Sequence, residues 1–71
     1  MTQKDYWLIA AAIKVEIEAI RGAHLLDEID YDTATNRLTG TRLVGAAVAN
    51  ALEESNPRFD RKEFLRACGL E

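Results

Sequence analysis

Seventy-one residues leave room for one small domain with one core, because separate domains take roughly 100 to 200 residues each. The chain is 48% hydrophobic and 30% charged, with four Gly and one Pro, so it is too apolar for disorder and too poor in turn residues for a sandwich of short strands. Nine Lys and Arg against twelve Asp and Glu give a net charge of -3, which argues against unspecific attraction to nucleic acid.

Read in chain order, Asp5 to Ala23 predicts a long first helix. Tyr6, Ile9, Ile13, Ile17, Ile20 and His24 recur at steps of three and four and share one face. Thr2 and Asp5 have capping-box spacing, with Asp in place of the usual Glu. The longest apolar stretch, Trp7 to Ile13, ends at Lys14 and is far shorter than the about 20 residues a membrane span needs. Neither a signal peptide nor a bilayer crossing is expected.

Residues 25–39 show no sustained period and carry Asp27, Glu28, Asp30 and Asp32. They read as an acidic connector, with at most a short strand around Arg37 to Thr39. Clustered carboxylates suit calcium or magnesium, yet an EF-hand loop counted from Asp30 has Ala34, Thr35 and Thr41 where a ligand, Gly and Glu are required. The run therefore reads as a solvated face, and no metal or other cofactor is expected.

A second helix is expected over about 41–55, with Leu43, Val44, Ala47, Val48, Ala51 and Leu52 as its apolar face. It ends at Asn56-Pro57, because the residue before proline is pushed out of helical geometry. A third helix, about 61–68, has the clearest local grammar. Asp60 is its N-cap, Glu63 lies three residues on, Phe59 and Phe64 are spaced for a hydrophobic staple, and Gly69 supplies a left-handed stop. The fold class predicted is all-α: a small bundle of two main helices and a short C-terminal one, open to completion by dimerisation.

The segment Asn56-Pro57-Arg58-Phe59-Asp60-Arg61, followed by Phe64-Leu65 and Ala67-Cys68-Gly69, together with Asp5-Tyr6 and Leu8-Ile9-Ala10, resembles a family of short actinobacteriophage and actinobacterial proteins of unassigned function. The likeness covers about a third of the chain. From Gly22 to Arg42 the sequence departs from the family pattern. The resemblance implies a phage-derived protein working in the cytoplasm of its host, and it carries no catalytic residue.

Enzymatic signatures are weak. Ser55, the single serine, has no glycine-flanked elbow, and the glycines form no phosphate loop. Cys68 is the one cysteine and sits beside Phe64 in helical register, which suits a small buried apolar group better than an activated thiolate. With no second cysteine to pair with, it also fits a reducing, cytoplasmic setting. His24 stands where a helix C-terminus favours a cation.

Two surfaces remain as candidates. The core stripe of the first helix leaves Leu8, Ala11, Ala12, Val15 and Ala19 on its far side, with Trp7 adjacent; successive 100° steps give that helix two apolar faces. Trp7, Leu8, Ala12, Val15 and Ala19 are therefore the expected partner-binding residues, for a host protein or a second copy of the chain. The replication sliding clamp is one host candidate. It takes peptides with Gln, two residues, an aliphatic, one residue and Phe, which Gln3, Tyr6 and Leu8 only faintly echo. The competing reading is a DNA-associated accessory that uses Arg58, Arg61 and Arg66, although neighbouring carboxylates and the net charge weigh against nucleic acid.

Overall fold

The computed structural model describes residues 2–71. Among them are three helices and no strand: α1 (Gln3–Leu25), α2 (Tyr31–Ser55) and α3 (Arg61–Ala67), together 79% of the described residues. α1 and α2 form a long antiparallel hairpin. Tyr6 meets Asn56 at its open end and His24 meets Tyr31 beside the turn. α3 folds back along one side of this hairpin and touches both long helices.

Each helix starts with a side chain that takes up a free backbone N–H. At α1 the Thr2 hydroxyl accepts from Asp5 N, while the Asp5 carboxylate accepts from Thr2 N at 3.0 Å, completing the expected capping box. Asp30 accepts from Thr33 N at 2.7 Å, and Asp60 from Glu63 N at 3.0 Å.

Two of the helix ends close in the same way. After α1, Asp27 N donates to His24 O and Glu28 N to Ala23 O, with Asp27 in the left-handed region at φ 59°. After α3, Gly69 N donates to Arg66 O and Leu70 N to Leu65 O, with Gly69 at φ 80°. Both are Schellman closures, and the second is the glycine stop read from the sequence.

The main core lies where α3 meets the hairpin. Ala10, Ala49, Leu52, Phe59, Phe64 and Cys68 are buried there, and Tyr6, Ile9, Ile13 and Leu70 pack around them. The staple pair Phe59 and Phe64 has ring centroids 5.3 Å apart, and Phe59 meets Tyr6 edge-on at 5.0 Å. Gly45 leaves a notch filled by the Leu70 side chain, so the segment after α3 seats directly on α2. Asn56 ties the turn together: its Nδ2 donates to the Tyr6 hydroxyl at 3.0 Å and its Oδ1 accepts from Arg58 N at 3.1 Å.

Two expectations are corrected. The acidic connector over 25–39 is mostly helix: α2 starts at Tyr31, some ten residues before the expected start, and Arg37 to Thr39 lies inside it. Only Leu26 to Asp30 separates the long helices. Four carboxylates sit near one turn because Asp30 caps α2 and Asp32 lies in its first turn, where the helix dipole favours negative charge.

The apolar face assigned to α2 is also rotated. Its buried residues are Ala34, Gly45, Ala49 and Leu52, with Leu38, Thr41 and Val48 half-buried, whereas Leu43, Val44, Ala47 and Ala51 are exposed. The face that enters the core is built of small side chains, so hydrophobicity alone pointed to the wrong side.

Candidate interaction surface

α3 covers one side of the hairpin and leaves the other bare. On α1 the bare side carries Leu8, Ala12, Val15 and Ala19, all exposed, with Leu8 at 61% and Val15 at 67%. The inward stripe of α1 is satisfied by its own chain: Ile17 and Ile20 are buried and Tyr6, Ile9 and Ile13 half-buried. The outward stripe finds nothing of its own to cover it, since residues 31–39 extend α2 along the inner face through Ala34 and Leu38 and leave the outer one free.

α2 adds a part that sequence reasoning missed. Ala12, Ile13 and Glu16 of α1 and Arg37, Gly40, Thr41 and Val44 of α2 line one shallow, open groove with a mostly apolar floor. Val44 is 60% exposed there. With the helix start placed at Asp30, the spacing Arg37, Gly40, Val44, Ala47, Ala51 is a second face at steps of three and four. Reading 25–39 as connector hid that register.

Glu16 and Arg37 are the charged residues of the groove, and they are not paired with each other. Among the described residues, the ion pair closer than 4 Å is Arg66 with Glu63, at 3.2 Å.

Trp7 does not join this surface. It lines a separate cleft of about 240 Å³ on the α3 side, with Gln3, Tyr6, Arg58 and Phe59. Tyr6 is half-buried and held by Asn56, while Leu8 points to solvent. The two hydrophobic positions of the clamp-like segment are thus separated by the helix that contains them.

The three arginines of the other candidate surface are also dispersed. Arg61 donates to Asn50 Oδ1, Arg66 pairs with Glu63, and Arg58 borders the Trp7 cleft. Cys68 is fully buried and burial pushes its thiol above the ordinary range, so it is a poor nucleophile in this fold. No group of three potential metal ligands occurs among the described residues, and no helix among them is long and apolar enough to cross a membrane. The chain matches no protein-family model, no curated protein and no solved structure.

Proposed function

We propose that this protein is a small, non-enzymatic interaction module whose docking surface is the bare side of the α1–α2 hairpin. The observation that carries this reading is the exposure of Leu8, Val15 and Val44, each at least 60%, on one side of a molecule too small to bury much surface alone. Exposed apolar side chains gathered on one side are costly in water and characteristic of surfaces that meet another protein. The resemblance to short actinobacteriophage proteins makes a host protein one natural companion.

The test compares the wild-type chain with Val15→Asp and Leu8→Asp. Both positions are exposed, so circular dichroism should show helix content unchanged. Wild-type protein should associate, either with itself in sedimentation or with a protein captured from an actinobacterial lysate, and the aspartate variants should lose that association. A wild-type chain that does neither, or folded variants that bind as well as wild type, would overturn the proposal.

A further inference from the structure

We propose that the occupant of the bare hairpin face is a second copy of this chain, giving a two-fold dimer in which the two hairpins form an antiparallel four-helix bundle. This rests on the docking reading above and names the partner. A two-fold axis running along the hairpin lays α1 of one protomer over α2 of the other at the same height. The groove places Ala12, Ile13 and Glu16 of α1 beside Arg37, Gly40, Thr41 and Val44 of α2.

In that arrangement opposite charges face each other. Glu16 of each protomer meets Arg37 of its partner, forming two symmetric ion pairs from charges that are unpaired with each other within one chain. Val44 enters the partner's groove beside Ala12, and Leu8 faces the small Ala47 and Ala51 toward the open end. Such alternation of large and small lets facing helices interdigitate.

The alternative two-fold, across the hairpin, is disfavoured. Centred on the hairpin, it would bring the two Glu16 carboxylates, near the middle of α1, against each other and set Arg37 on the Ala47–Ala51 end of the partner's α2, with no opposite charge for either. The size of the molecule allows it: principal extents of 41 × 18 × 15 Å give a long side whose outline is on the order of 600 Å², comparable with the roughly 800 Å² per partner of a standard interface.

The test is a charge-swap pair followed by sedimentation over a micromolar concentration series. Wild-type chain should sediment as a dimer. Glu16→Arg places like charges against Arg37 of the partner, and Arg37→Glu does the same against Glu16, so each variant alone should dimerise roughly 100-fold more weakly. Mixing the two variants should restore association, because the arginine introduced in one then meets the glutamate introduced in the other across the interface.

A wild-type monomer, swaps that leave dimerisation unchanged, or folded swaps that stay apart on mixing would each overturn the proposal. Should a swap fail to fold, Val44→Lys must give a folded monomer, and a folded dimer of it is equally fatal. A wild-type monomer whose lysate capture is abolished by Val15→Asp would sink self-pairing alone. Capture that survives that substitution would sink the docking reading as well.

Discussion

Asp27 is the residue under most local strain. It sits at φ 59°, a region that costs a residue with a Cβ on the order of 1 kcal/mol, and it does so because the Schellman closure of α1 requires a left-handed residue there. Asp27→Gly should raise stability by about 0.5–1 kcal/mol in urea unfolding, and Asp27→Val should lower it.

Three residues on, Asp30 illustrates the acid sensitivity of the caps. Hydrogen bonds from Thr33 hold its carboxyl below the usual carboxylate range, and the bond from the Thr2 backbone does the same for Asp5. A lowered folded value means the unfolded chain binds the proton more tightly. The stabilisation is therefore complete above the ordinary value of 3.8 and is lost as the pH falls through the lowered folded value. Melting temperature should fall on acidification below about pH 4. Asp30→Asn, which still caps but does not titrate, should shrink that fall.

At the scale of elements, α3 is the dependent one. Seven residues are too few to hold a helix in water alone, so its cap, staple and glycine closure position it while Phe59 and Phe64 anchor it. Phe64→Ala should cost about 3–5 kcal/mol, enough to unfold a domain of this size at room temperature, as circular dichroism would report. Asn56→Ala removes the bond to the Tyr6 hydroxyl and the turn bond to Arg58, and should cost about 1 kcal/mol in the same assay.

Those local devices were legible in the sequence because capping, stapling and glycine closure depend on residues within a few positions of one another. The first half of α2 was not. Thr33, Thr35, Asn36, Thr39 and Gly40 are poor helix formers, and the face that makes the tertiary contact carries Ala34, Leu38, Thr41 and Gly45, which give a faint apolar period. The preceding closure uses Asp27 in the role of glycine, so the turn carried no warning either. Tertiary packing overrode propensity. The bare side of α1 was visible from 100° steps alone, whereas its continuation on α2 became visible only when the helix start moved to Asp30. Trp7 is adjacent to Leu8 in sequence, yet the 100° rotation between consecutive helical residues sets it in the cleft on the α3 side.

Across the whole molecule the packing is lopsided. The aromatic side chains of the main core gather at the open end of the hairpin, between Tyr6, Phe59 and Phe64. Toward the turn the two long helices are joined through Ile17, Ile20, Ala34 and Leu38, and Leu25, Leu26 and Tyr31 stand at least 70% exposed. Amides of residues 22–36 should therefore exchange with deuterium sooner than those of 45–52, a difference readable by mass spectrometry of peptic fragments. The molecule is pinned at its unconnected ends and slack at its bend: thermal fluctuation should loosen the helix ends around the bend first, and a protease should find its earliest cut among Leu25 to Glu28 while the aromatic grip still holds.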